Sequence, residues 1–195
     1  MGRNKVIDRA SILDAAETVV TRDGASRMTL DAVAAQAKIS KASVLYDYKT
    51  KQALIKAVIE RRIEDENARV RQVMDKLGSA PNAAIRARIA TAARSVSDED
   101  RAVAINLCAT LAQDAELRRP IQDAYRHRIA AVLETSEHSR GALLAFLAVE
   151  GLMSLERLGL HTWPEEEREV LLREIGWLVD QQPERVACDR DLDSS

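Results

Sequence analysis

The sequence predicts an all-α protein with a small N-terminal helical domain followed by a larger helical domain. Apolar residues recur at the three-to-four spacing of amphipathic helices, and the alternation typical of strands is nearly absent. Only 7 glycines and 4 prolines interrupt the 195 residues, a length that suits one small and one larger unit. We expect a head at 1–50, a connecting helix at 51–77, a body at 78–182 and a disordered tail at 183–195.

The head is predicted to contain three helices. The first, Arg9–Asp23, has an apolar face and is followed by a glycine, and the second is Leu30–Ala37. Residues 38–40 leave room only for a tight corner before a third helix, which runs from Lys41 to about Tyr48. The side chains expected to cap these helices are those of Asp8, Thr29 and Ser40.

A long helix, 51–77, is predicted to join the head to five further helices. Its middle part, 61–71, carries charge on nearly all faces, so we expect it to bridge through solvent. The acidic stretch 97–100 is expected to break the chain, and Thr162 with Glu165 has the spacing of a capping box. The remaining helices are predicted at 82–96, 101–113, about 120–134, 141–160 and about 163–181.

Composition and charge favour a globular protein with a polyanionic partner. Hydrophobic residues make up 46% of the chain and charged residues 31%, and the two distant cysteines fit neither a zinc site nor a disulfide framework. With no apolar run that could span a bilayer and no signal-peptide core, we expect a cytoplasmic location. Residues 1–62 hold 12 Lys/Arg against 7 Asp/Glu, a net charge of +5, whereas the rest carries −7. A positive head favours phosphate binding.

The order and sequence of the head helices resemble a known DNA-binding family. The strings 29–34 and 39–44, continued by Lys51 and Leu54, are similar to the helix-turn-helix of the TetR (tetracycline repressor) family. The resemblance implies a dimeric repressor that binds a palindromic double-stranded DNA operator and is released by a small molecule. The residues expected at the DNA are Thr29, Ser40, Lys41, Ala42, Ser43, Tyr46 and Lys51, with Arg3 and Lys5 in a basic N-terminal arm.

These residues divide into two predicted roles. Lys41 and Ser43, near the start of the third helix, are the expected readers of base edges in the major groove. Thr29, Tyr46 and Lys51 are expected to hold phosphates. Thr29 and Lys51 stand at helix starts, where free backbone N–H groups favour an anion.

The sequence departs from the family pattern at four positions. Lys38 and Ala42 replace common glycines, and Leu45 and Asp47 replace an aromatic residue and a histidine that would hold phosphate. Asp47 leaves two hypotheses open. It either approaches the DNA backbone and weakens binding by repulsion, which we favour, or turns inward and pairs with a following lysine or the turn's backbone.

Two sets of body residues follow from the family's plan. The last two helices would pair with their copies in a second subunit as a four-helix bundle, although some of their apolar residues must face the body's own core. The interface candidates are Leu143, Leu147, Leu155, Leu171, Leu172, Ile175, Leu178 and Val179. The candidates for lining a small-molecule pocket are Asn106, Cys108, Leu111, Tyr125, Phe146, Glu150, Met153 and Trp177. If Glu150 is buried, its carboxylate needs a partner.

No machinery for catalysis is visible in the sequence, and no cofactor or metal is predicted. A di-iron bundle needs a glutamate three residues before each ligating histidine, and none of the three histidines has one. No phosphate loop or nucleophile motif occurs either. The function expected is that of a ligand-responsive repressor rather than an enzyme. A helical adaptor whose head binds protein, and a transcriptional activator with the same head, stay open as alternatives.

Overall fold

The computed structural model describes residues 8–183, and this part of the chain contains nine α-helices joined by short turns. The predicted all-α fold is confirmed. Among the described helices, none combines the length and hydrophobicity of a membrane-spanning segment. The helices are α1 Arg9–Asp23, α2 Leu30–Ala37, α3 Lys41–Asp47, α4 Lys51–Leu77, α5 Ala83–Ala92, α6 Asp98–Gln113, α7 Ala115–Thr135, α8 Ser139–Arg157 and α9 Glu165–Leu178. The predicted basic arm with Arg3 and Lys5, and the predicted disordered tail after Pro183, lie outside the described residues.

The three head helices form where the sequence predicts, because each has a side chain that satisfies a free N-terminal N–H group. Each capping side chain accepts a hydrogen bond at 3.1 Å from a backbone N–H two or three residues further on. The capping residues are Asp8, Thr29 and Ser40. The end of α3 at Asp47 comes one residue earlier than predicted.

Lys38 ends α2 in the left-handed conformation. Its φ of 56° and ψ of 42° lie in the region that favours glycine, the residue that the family pattern has here. The Ile39 N–H bonds to the Ala34 carbonyl oxygen at 3.0 Å and completes the turn. Lys38 therefore adopts, with backbone strain, a conformation that a glycine adopts without it.

The apolar core of the head extends into the body. Ile12 and Val44 of the head share one cluster of buried residues with Val103 of α6 and Leu117 of α7. A second cluster joins α5, α7, α8 and α9. The first core thus crosses the expected boundary between head and body. The domain boundaries at residues 50 and 77 stay a prediction.

Two helices at the start of the body differ from their predicted bounds: α5 at its C-terminal end and α6 at its N-terminal end. α5 stops at Ala92, four residues before the predicted end. The acidic residues 98–100 form the first turn of α6 rather than a break, and the Ser97 hydroxyl caps this turn by accepting from the Asp100 N–H at 3.0 Å. Three carboxylates thus stand at the positive end of the helix dipole, which stabilises them there.

The predicted start of α7 is wrong, and so is the capping box predicted for α9. α7 begins at Ala115, five residues before Pro120, because Asp114 caps it and leaves the proline inside the helix. α9 begins at Glu165 with no side-chain cap, so the predicted capping box does not form. α8 begins two residues before and ends three residues before its predicted bounds.

The charged middle of α4 packs against other helices, so the predicted bridge through solvent is wrong. Arg61 and Arg62 both pair with Glu17 of α1, at 2.7 and 3.3 Å. Arg62 also pairs with Asp100 of α6 at 2.6 Å, and Glu66, one turn further on, is buried. These ion pairs connect the head to the body along α4.

Candidate nucleic-acid interface

The third helix, α3, buries one face and presents the other to solvent. Val44 has no exposed surface and anchors the helix to the core of the head. On the outer face Ala42 is exposed, and Tyr46 is 78% exposed. The phenol of Tyr46 and the small side chains before it are therefore accessible to a large partner such as a DNA groove.

The two expected base readers are held by protein partners. The Lys41 ammonium group donates a hydrogen bond to the Asp31 carboxylate of α2 at 2.8 Å, and the Ser43 hydroxyl lies 2.8 Å from the Ser40 hydroxyl. An exposed ion pair such as Lys41–Asp31 contributes less than about 1 kcal/mol. Lys41 and Ser43 therefore lie together at the start of α3 and can exchange these partners for DNA at low cost.

The expected phosphate-holding residues lie at the start of α2, on α3 and at the start of α4, and Lys49 is a further cation beside Tyr46. Thr29 is exposed at the start of α2, and Lys51, the first residue of α4, donates to the Ser26 carbonyl oxygen. The Lys49 ammonium group donates to the Tyr46 carbonyl oxygen at 3.0 Å and lies 5.5 Å from the centre of its ring. Lys49 is not among the DNA-contacting residues predicted from the sequence, although its position between α3 and α4 was an available signal.

Asp47 turns toward α1 and pairs with Arg9. Its carboxylate accepts a hydrogen bond from Arg9 Nε at 2.9 Å. This arrangement favours the inward hypothesis over the repulsive one that the sequence analysis favours. The inward alternative is right in kind, but the partner is Arg9 rather than a following lysine or the turn. Arg9 was missed because it lies 38 residues away along the chain.

A buried ion-pair network lies in the body where α4, α5, α7 and α8 meet. The Glu66 carboxylate accepts hydrogen bonds from Arg128 at 3.0 Å and Arg157 at 2.8 Å, and Arg88 lies 3.5 Å from it. Burial raises the pKa of Glu66, but the charges of its arginine neighbours outweigh burial and lower that pKa to about 2. The Glu66 carboxylate is therefore ionised at neutral pH.

Glu150 joins this network through Arg88 and Tyr125. Arg88 donates to Glu150 Oε1, and the Tyr125 hydroxyl donates to Oε2 at 2.7 Å. Burial, with the nearby Glu150 charge, raises the pKa of Tyr125 to about 12, so the phenol keeps its proton. The Phe146 ring meets the Tyr125 ring edge to face, with 6.4 Å between their centres. The partners that a buried Glu150 requires are thus an arginine and a tyrosine.

The eight pocket candidates do not gather at one place. Four lie in or beside the second core, between α7 and α8: Tyr125, Phe146, Glu150 and Met153. The other four lie elsewhere: Asn106, Cys108 and Leu111 on α6, and Trp177 on the outside of α9. Cys108 is exposed, and Leu111 packs against the core of the head. One pocket therefore cannot be lined by all eight.

The interface candidates divide between the surface and the body's own core. Leu172, Ile175 and Val179 are buried in the second core, so their assignment to an interface is corrected: their apolar surface is already covered. The half-buried candidates are Leu143, Leu171 and Leu178. The exposed apolar residues of α8 and α9, here called the apolar stripe, are Leu144, Leu147, Leu155, Val170 and Trp177.

A helix-turn-helix with an exposed third helix, mounted on a larger helical body, defines a DNA-binding transcriptional regulator. Residues 12–58 match the family profile described as "Bacterial regulatory proteins, tetR family". Residues 82–179, half of the chain, match the profile described as "Tetracyclin repressor-like, C-terminal domain". The chain therefore belongs to the TetR family, as its sequence resemblance predicts. No relative among curated proteins matched it.

Solved structures share this fold over most of the chain. A transcriptional regulator from Streptomyces coelicolor A3(2) is 17% identical, with a TM-score of 0.70 over 89% of this chain and 98% of its own. A TetR-family regulator from Mesorhizobium loti MAFF303099 is 16% identical, with a TM-score of 0.68 over 87% and 93%. The multidrug binding protein EbrR, solved with malachite green, is 19% identical, with a TM-score of 0.68 over 88% and 97%. At these identities the likeness establishes the fold.

Proposed function

We propose that this chain is a dimeric repressor that binds a palindromic operator through α3 and is released by a small molecule. The observation that carries the proposal is the two-sided α3, with Val44 buried and the face of Ala42 and Tyr46 exposed. One short helix reads few bases, so two copies related by a two-fold axis are needed for a specific site. A dimer bound at a promoter excludes polymerase without any further surface. Because the target is the chromosome, the protein acts in the cytoplasm.

The proposed DNA contacts retain the division into base readers and phosphate holders. Lys41 and Ser43 would face base edges, with Ser40 and Ala42 beside them close to the groove floor. The phosphate holders would be Thr29, Tyr46 and Lys51, and Lys49, which contacts Tyr46, would be a fourth. Arg3 and Lys5 stay a proposal for the minor groove.

The apolar stripe supports the proposed dimer. Leu144, Leu147 and Leu155 share one face of α8 with Gly151, where a Cβ atom would meet no neighbouring atom of the described residues within 4 Å. A glycine in the middle of an exposed helix costs about 1 kcal/mol relative to alanine. Close approach of a second α8 across Gly151 would offset this cost. The half-buried Leu143, Leu171 and Leu178 would form the edge of the same interface.

The proposed effector site lies where Tyr125, Phe146 and Glu150 meet, with Met153 in the adjoining core. Aromatic surface beside a small number of oriented polar groups is typical of small-molecule sites. Support for a small-molecule ligand also comes from EbrR, a protein of the same fold that was solved with malachite green. A compound that releases wild-type protein from DNA should be needed at a several-fold higher concentration for Tyr125→Phe, because that variant lacks the hydroxyl that orients Glu150.

DNA titration with the purified chain tests the central proposal. Wild-type protein should bind a labelled random duplex, and bind DNA from upstream of its own gene more tightly. Binding should weaken steeply between about 50 and 200 mM salt, since counterions are released from phosphates. Sedimentation should give twice the chain mass. Absence of salt-sensitive DNA binding would support the protein-binding adaptor instead.

A further inference from the structure

The ion pair between Asp47 and Arg9 joins the last residue of α3 to the first residue of α1. Asp47 stands at the negative end of the α3 dipole, and Arg9 stands at the positive end of the α1 dipole. Each charge is therefore at the end of its helix that disfavours it. Helix stability alone does not explain either residue, and their pairing offsets both penalties.

In this pair the Arg9 guanidinium faces solvent and the Asp47 carboxylate is mostly buried. The Arg9 side chain is 74% exposed, whereas that of Asp47 is 12% exposed. Within residues 8–183, Arg9 donates only its Nε–H, and this bond goes to Asp47. The terminal nitrogens of a guanidinium group carry four further N–H donors, which suit the oxygens of a phosphate.

Arg9 belongs to the same surface as the outer face of α3. Arg9, Ala42, Ser43, Tyr46 and Asp47 together line one open depression beside that helix. A phosphodiester group that approaches Tyr46 would therefore meet the Arg9 guanidinium before it meets the Asp47 carboxylate.

We infer that Arg9 binds a DNA phosphate and that Asp47 is the positioning residue that holds Arg9 against the end of α3. The inference rests on the proposed docking of α3 on DNA. Asp47, an acid on a DNA-binding surface, thus has a role in binding that offsets its own repulsion of phosphates. Its carboxylate contacts no phosphate but fixes the direction of a cation that does. An exposed arginine without that partner would lose more side-chain freedom when it binds.

Four variants test the inference on a random-sequence duplex, with affinities measured over a salt series. Arg9→Ala should weaken binding roughly 3- to 10-fold at low salt and reduce the magnitude of the salt slope by about 1, as expected for one lost phosphate contact. Arg22→Ala is the matched control. Arg22 is an exposed arginine paired with Asp23, about 20 Å away along α1, and its loss should change neither quantity appreciably.

Asp47→Asn, alone and combined with Arg9→Ala, separates positioning from repulsion. With Arg9 present, the loss of positioning should leave binding unchanged or weaker. With Arg9 removed, the same substitution should tighten binding, because an unpaired carboxylate near phosphates is then eliminated. A salt slope for Arg9→Ala equal to that of wild type, or equal tightening by Asp47→Asn in both backgrounds, would overturn the inference while leaving the proposed function intact. Wild-type protein that binds no duplex would overturn both.

Discussion

At the scale of single residues, the contacts of α3 predict two kinds of defect on DNA. Lys41→Ala and Ser43→Ala should weaken operator binding and relax base preference, by about 1–3 kcal/mol of lost discrimination each. Both residues need only exchange weak surface partners, Asp31 and Ser40, to reach the bases. Lys51→Ala should weaken all duplexes alike. Binding to a set of operator variants measures both effects, and a changed base preference in Lys51→Ala would reverse the assignment of roles.

The charge of Glu66 predicts a stability that depends on pH. Its pKa in the folded state, about 2, is below the ordinary glutamate value of 4.5, so the carboxylate stabilises the fold above the unfolded pKa, and this stabilisation is lost as pH falls from about 4.5 toward 2. Glu66→Gln should lower the free energy of unfolding by about 3 kcal/mol at pH 7, because three arginines lose their buried partner. The difference from wild type should shrink near pH 3.

Glu64→Gln provides the control for this prediction. Glu64 lies on the same helix and also pairs with an arginine, Arg71, but both side chains are exposed. An exposed pair contributes less than about 1 kcal/mol, so this variant should unfold close to wild type at both pH values. Denaturant titrations of the three proteins decide the matter. A Glu66→Gln variant as stable as Glu64→Gln at pH 7 would mean that the buried network adds no net stability.

At the scale of helices, prediction succeeded where the signal was local. The head helices begin at Asp8, Thr29 and Ser40 caps, and a cap is visible within three residues of sequence. The predicted start of α7 near Pro120 is five residues late, because a proline is common in the first turn of a helix whereas here Asp114 caps the helix and Pro120 lies inside it. Two local signals, a proline and a capping aspartate, predict different starts for this helix. The packing of α7 against α4 and α8 involves distant parts of the chain, so it cannot be read from the α7 sequence alone.

Pro120 gives a prediction for α7. It lies in the sixth position of the helix, where a proline removes one backbone hydrogen bond and crowds the preceding turn. Pro120→Ala should therefore raise the free energy of unfolding by about 1–3 kcal/mol, up to the full penalty of a proline inside a helix. Pro164→Ala, just before α9, removes a proline without restoring a helical hydrogen bond and should gain little. Thermal melts measure the stability of both variants. An equal gain in stability for Pro120→Ala and Pro164→Ala would contradict the explanation.

At the scale of the whole molecule, the sequence predicted the fold class and the outer face of α3 but not the contacts that join distant segments. The charge on all faces of residues 61–71 resembles that of a solvated helix. In the structure, however, these residues form ion pairs with Glu17 and Asp100, and Glu66 pairs with the arginines around it. Likewise, the pairing of Arg9 with Asp47 spans 38 residues. An ion pair between remote segments has no periodicity, so only the folded arrangement reveals it.

The assembly predicts opposite outcomes for two leucine-to-glutamate substitutions on neighbouring helices. Leu147 on α8 is 57% exposed in the apolar stripe, so Leu147→Glu should leave the subunit folded but place a charge in the proposed interface, at a cost of several kcal/mol to association. Leu172 on α9 is buried in the subunit's own core, so Leu172→Glu should instead unfold the subunit. Sedimentation and circular dichroism should thus find a helical monomer for Leu147→Glu, with operator affinity reduced because two heads are no longer held together. A helical dimer for Leu147→Glu, combined with a helical monomer for Leu172→Glu, would move the interface from the apolar stripe to the inner face of α9.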